Sequence, residues 1–120
     1  MIRVAAVGDV HVGVDSAGRL APRLHGLADH ADLFLLAGDL THRGRPEEAK
    51  VLAEELAGIG VPTIAVLGNH DYHSDEQDAV TQVLLQPVEA AVHDLLVIGT
   101  VLVVAAVILV RTASTQDRLV

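Results

Sequence analysis

The chain has no cysteine and no tryptophan, and only one tyrosine and one phenylalanine. Without cysteine there are no disulfides and no thiolate metal site, so any metal chemistry falls to imidazole and carboxylate. With aromatics at 2%, the core must be built from Val, Leu, Ala and Ile. Cations are also scarce: eight Lys and Arg face sixteen Asp and Glu, for a formal net charge of −8. That balance leaves no basic stripe for neutralising phosphates along a nucleic acid, and no double-stranded nucleic-acid binding is expected from the charge. No signal peptide is expected, because the opening apolar run stops at Gly8 and Asp9. The N-terminal half therefore reads as cytoplasmic.

What is present is apolar and histidine-rich. Hydrophobic residues make up 51% of 120 residues, enough for one small domain with a core, and there are seven histidines. Three short, nearly continuous apolar runs stand out: Ile2 to Gly8, Leu33 to Gly38 and Pro62 to Gly68. Continuous rather than alternating runs suit parallel strands buried on both faces. Leu20, Leu24, Leu27 and Ala31 recur at helical spacing between the first two runs, and Ala49, Leu52, Leu56 and Ile59 between the second and third. Pro46 with Glu47 and Glu48 marks a helix start, where the dipole favours acids, and Gly58 and Gly60 mark its stop. Ser74 and Gln77 have capping-box spacing ahead of a stripe of Val80, Val83 and Leu84. The pattern is an α/β fold, βαβαβ, with right-handed crossovers and a further helix.

The three strands end alike. Gly8-Asp9, Gly38-Asp39 and Gly68-Asn69 are spaced by 30 residues. In an open α/β sheet, ligands bind at the carboxyl ends of the strands, so Asp9, Asp39 and Asn69 are expected on one edge. Asp9 and His11 lie two apart on what reads as an extended segment, so both can turn to one side. Asp39 could bridge two ions, and Asn69 offers a neutral carbonyl oxygen. His70 follows, placed to give a proton to a leaving group, with Asp71 to orient its ring. Short carboxylates with imidazoles suit divalent transition metals. His42 and His73 read as solvent-facing loop residues, His25, His30 and His93 as surface positions, and Arg43 and Arg45 as either anion contacts or plain loop.

These blocks, "GDVH", "GDLTHRG" and "GNHD", resemble the first three signature blocks of the calcineurin-like metallophosphoesterase superfamily, D-x-H, G-D-x-x-x-x-G and G-N-H-D/E. The resemblance covers residues 2 to 85 and implies the N-terminal half of a metallophosphoesterase-type α/β sandwich. It implies two divalent ions (Mn, Fe, Zn or Ni) and hydrolysis of a phosphomonoester or phosphodiester by a bridging hydroxide. By position, Asp9 and His11 match ligands of the first ion, Asp39 the bridge, and Asn69 a ligand of the second that also borders the substrate. His70 matches the histidine beside the leaving group. The family's later G-H-x-H block is missing; after His73 the only histidine is His93. A catalytically inactive remnant and a membrane-tethered binding module are therefore the rival readings.

The expected organisation is 1–87 as the incomplete metallophosphoesterase-like domain, 88–111 as an apolar segment, and 112–120 as a polar tail. Leu95 to Val110 carries no charge, includes six Val, and is followed by Arg111. As a helix it would span about 24 Å, short of a ~30 Å hydrocarbon core. It reads as a membrane-seeking helix; a strand pair turning near Gly99-Thr100, or a truncated or frame-shifted gene, are the alternatives. Membrane association through 95–110 or self-association is expected to cover the open face of the sheet.

Overall fold

The structure is a computed structural model that describes residues 1–86 and 95–98. The apolar runs form β1 (Val4–Val7), β2 (Leu33–Ala37) and β3 (Thr63–Val66), joined by β4 (Leu95–Ile98). All pairings are parallel and the order is β1-β2-β3-β4. Val7 pairs with Leu36 and Ala37 with Val66, so the strands stop at nearly one level. Whatever follows each strand is delivered to a common edge.

Two helices make the core with this sheet. Helix α2 (Pro46–Leu56) starts at its proline, and the Glu48 carboxylate accepts the backbone N–H groups of Arg43 and Arg45 at 2.8 and 3.2 Å. That closes the first turn as an acid near a helix N-terminus should. Ala49, Leu52 and Leu56 face the core as their spacing demands; Ile59 packs there too, from the turn after the helix. Helix α3 (Gln77–Leu85) buries Val80 and Leu84 completely. Phe34 and Leu36 of β2 and Leu52 of α2 complete the centre. Each fully buried Leu contributes about 1.5–3 kcal/mol.

Four expectations are corrected here. First, the stripe from Leu20 to Ala31 is not one helix. It is a 3-10 turn at Ala21–Leu24 and a single turn, α1 (Leu27–His30), separated by Gly26 in the left-handed region at φ 73°. Pro22 and Gly26 defeat continuous helical hydrogen bonding although the apolar period is right. Second, the strands are not all buried on both faces. Edge strand β1 keeps Val4 and Val7 exposed, and β2 buries Phe34 and Leu36 but not Leu33, Leu35 or Ala37. Third, Ser74 does not cap α3; its hydroxyl donates to the Arg43 carbonyl at 2.7 Å, a partner 31 residues away. Fourth, Leu95–Ile98, the start of the expected apolar helix, is a strand whose register sets Ala65 beside Val97. A Leu, Val and Ile run suits a strand, and here β3 offers it a parallel ladder. The rest of 88–111, and the tail 112–120, lie outside the described residues. Among the described residues no helix is long and apolar enough to cross a membrane.

Candidate metal centre

Parallel pairing continues past the ends of β1 and β2. The Asp9 N–H donates to the Gly38 carbonyl at 3.1 Å, the His11 N–H to Asp39 at 3.0 Å, and the Val12 N–H to Leu40 at 3.0 Å. A bridge between Val12 and Thr41 ends this ladder. Asp9, His11 and Asp39 are thus carried on backbone tied together across two segments. All three have positive φ, at 55°, 45° and 50°. The extended segment that the sequence suggests from Asp9 to His11 is therefore not what forms. The left-handed region costs a non-glycine residue roughly 1–2 kcal/mol each. Such strain persists where surrounding structure over-determines it, and it clusters at functional sites.

The result is a compact group. One ligand-capable atom from each of Asp9, His11 and Asp39 lies within 4.8 Å of the others. His11 Nε2 is 3.8 Å from Asp39 Oδ2, with the two side chains 34% and 14% exposed. The other Asp39 oxygen, Oδ1, accepts the His70 N–H at 3.0 Å. The third strand end is thereby fastened to the second.

After β3 the chain enters a 3-10 turn, Asn69–Tyr72. Asn69 opens it, exposed, at the same edge. The His70 ring lies edge-on to that of His11, with centroids 4.5 Å apart. His70 Nδ1 is 2.8 Å from the His42 carbonyl oxygen. A carbonyl only accepts, so Nδ1 carries a proton, and in the neutral ring Nε2 keeps the lone pair.

Asp71 was expected to orient that ring, and it does not. Its carboxylate is fully buried and accepts four hydrogen bonds: Leu40 N–H at 3.0 Å, Thr41 N–H at 2.8 Å, Thr41 hydroxyl at 2.6 Å and Gly68 N–H at 2.8 Å. It clamps the loop after β2 to the loop after β3. A buried carboxylate is tolerable only with such a full set of donors, and satisfying them leaves no oxygen free for His70.

The motif glycines have steric reasons. A Cβ on Gly68 would stand 2.2 Å from both the backbone nitrogen and Oδ1 of Asp39. On Gly44, at φ 72°, it would stand 2.5 Å from the Asp71 carbonyl oxygen. Both glycines let the two loops touch.

By sequence His42 is a solvent-facing loop residue. It is exposed, yet a ring nitrogen of His42 lies within 4.8 Å of ring nitrogens of His11 and His70. The His73 ring stands 4.6 Å from that of His70. The only hint in the sequence is that four of the seven histidines fall within three residues of a strand-end block. A cavity of about 600 Å³ opens beside His11 and His42, with Arg19, Arg43 and Arg45 on its wall. Three of the chain's eight cations stand there, beside three acids, Asp15, Glu47 and Glu48.

The sequence profile of the calcineurin-like phosphoesterase family matches residues 2–109, further than the 2 to 85 the signature blocks span. The chain is 39% identical over 70 residues to a symmetrical bis(5'-nucleosyl)-tetraphosphatase of Nitrosococcus oceani, covering 58% of this chain and 24% of that protein. It is 37% identical over 49 residues to a glycerophosphodiester phosphodiesterase of Enterobacter lignolyticus, covering 41% and 18%. It is 32% identical over 80 residues to a probable cyclic nucleotide phosphodiesterase of a Synechococcus species, covering 58% and 31%. The chain thus spans less than a third of the length of these relatives.

Proposed function

The chain belongs to the calcineurin-like phosphoesterase family, and from that premise we propose that it takes part in metal-dependent hydrolysis of a phosphate ester. The observation that carries this reading is the convergence of Asp9, His11 and Asp39 on one edge with the His70 ring against them. Their donor set fits a divalent ion of the Mn, Fe, Zn or Ni kind: hard oxygens and one borderline nitrogen, all three residues held at positive φ. Asp9, His11 and Asp39 would hold one ion, and Asp39 with Asn69 would offer ligands toward a second. Bound there, such ions supply positive charge against a phosphoryl group and make water acidic enough to act near neutral pH.

The chain's own residues do the rest. Asp39 fixes the His70 backbone while pointing its other oxygen at His11. The His42 carbonyl holds the His70 tautomer, so Nε2 is the atom that carries a proton to or from the substrate oxygen. Asp71 keeps the two loops at a fixed separation. Arg19, Arg43 and Arg45, on a wall shared with Asp15, Glu47 and Glu48, would offer guanidinium donors to an anionic substrate. The relatives' names point to nucleotides and phosphodiesters as the substrate class.

The test is turnover of bis(p-nitrophenyl) phosphate and of p-nitrophenyl phosphate by the Mn²⁺-loaded chain, beside its Asp39→Ala variant. Mn²⁺-dependent hydrolysis that Asp39→Ala abolishes supports the reading. Metal binding without turnover supports a second one, a metal-binding module without catalysis. Association with membranes or with a second copy through 95–110 belongs to that reading.

A further inference from the structure

His11, His42 and His70 bring three ring nitrogens within 4.8 Å of one another. None of the signature blocks assigns His42 a role. Among the described residues no hydrogen bond joins the three rings, although the His11 and His70 rings meet edge-on. Backbone gathers them. The Val12–Thr41 bridge sets His11 on one side and His42 on the other. The His42 N–H donates to the Val12 carbonyl at 3.0 Å, and the His11 N–H to Asp39. The His70 N–H is held by Asp39 and its Nδ1 by the His42 carbonyl, which leaves Nε2 as the ring nitrogen a metal can take. Three ring nitrogens this close, with the His70 ring fixed through its Nδ1, are an arrangement that suits a metal ion.

We propose that His11, His42 and His70 form a separate, all-imidazole metal site that takes a borderline divalent ion, Zn²⁺ foremost. Nitrogen-only donors favour zinc, copper and nickel, whereas the carboxylates of Asp9 and Asp39 favour manganese and magnesium. Three imidazoles with a fourth position open is a coordination zinc adopts readily. The two groups share His11, so zinc in the imidazole site competes for a ligand of the mixed site. It also takes the His70 lone pair, and a histidine bound to a metal no longer carries a proton. Zinc at this site is therefore an antagonist of the proposed hydrolysis. The site itself does not depend on that hydrolysis.

The experiment uses the full chain, titrated with Zn²⁺ and with Mn²⁺ by calorimetry, and X-ray absorption of the Zn²⁺-loaded protein to count imidazole ligands. The wild type is expected to show three imidazoles. His42→Ala should weaken Zn²⁺ by more than the roughly 10–100-fold that losing an outer hydrogen-bond partner causes. Because His42 is exposed and its carbonyl is retained, the Mn²⁺ thermal shift of this variant should persist, which also reports that it is folded. Asp9→Asn should show the reverse pattern, weak Mn²⁺ and retained Zn²⁺. Wild-type Zn²⁺ affinity in His42→Ala, fewer than three imidazoles, or equal loss of both ions in His42→Ala and His42→Gln would overturn the proposal. Failure of Mn²⁺ alone to bind would overturn the mixed site and leave this one standing.

Discussion

Thr41 donates twice to one oxygen of Asp71, through its backbone N–H at 2.8 Å and its hydroxyl at 2.6 Å. Both residues are fully buried. The Thr41 hydroxyl in turn accepts the Gly44 N–H at 3.0 Å, so one side chain ties three segments of the second and third motif loops. Asp71→Ala strands four donors without solvent and should lose about 3–5 kcal/mol of stability in urea unfolding. Thr41→Val removes one donor and one acceptor and should lose about 1–2 kcal/mol. A near-neutral Asp71→Ala would refute the clamp.

Gly68→Ala places a methyl where Asp39 stands. Either the third loop or Asp39 must move, and the metal group moves with it. The expected outcome is loss of Mn²⁺-dependent stabilisation even where the variant stays folded by circular dichroism. Gly58→Ala is the control: it has a positive φ but nothing near its Cβ, so it should lose about 1 kcal/mol and keep metal binding.

Mn²⁺ should raise the melting temperature of the wild type, since a ligand bound only by the folded chain at 100-fold its Kd stabilises by about 2.7 kcal/mol. Asp39→Ala should abolish the shift. His70→Ala should keep it, and where turnover is measurable lower kcat by roughly 10²- to 10⁴-fold. Loss of Mn²⁺ in His70→Ala to the same extent as in Asp39→Ala would show that His70 is a ligand of the mixed site.

Acid stability should depend on Glu55. Burial pushes its carboxyl pKa up, but the backbone N–H groups of Ala21, Gly18 and Leu20 outweigh that and hold it below its usual value near 4.5. A lowered folded-state pKa means the stabilisation is complete above the unfolded value and is lost as pH falls through the folded one. Glu55→Gln should therefore flatten the acid limb of the stability curve below about pH 4.5. It should also loosen the loop from Gly18 to Ala21, seen as faster amide exchange there.

The Asp32 carboxyl, hydrogen-bonded to the Arg3 side chain and backbone, titrates at about 2 instead of 3.8. The pair is exposed, so its effect on stability should be small and screened by salt. Arg3→Ala should move the Asp32 carboxyl midpoint, followed by NMR, upward toward 3.8.

The sequence alone determined the three apolar strands, the start of α2 at Pro46 and the buried stripe of Val80 and Leu84, because strand and helix periods are local. It also determined that Asp9, Asp39 and Asn69 share an edge, because parallel strands of equal spacing end at one level. Tertiary structure decided what those residues touch. Asp71 reads as a partner for the neighbouring His70, yet its donors lie at Leu40, Thr41 and Gly68, and a sequence does not announce hydrogen bonds across 31 residues. His42 reads as an exposed loop until the Val12–Thr41 bridge carries it to His11. Leu20 to Ala31 has a helix's period but not its hydrogen bonds, since the apolar pattern records which side faces the core while Pro22 and Gly26 set the path of the backbone. Burial and register follow from which surfaces meet, and that is fixed only when the whole chain has closed on itself.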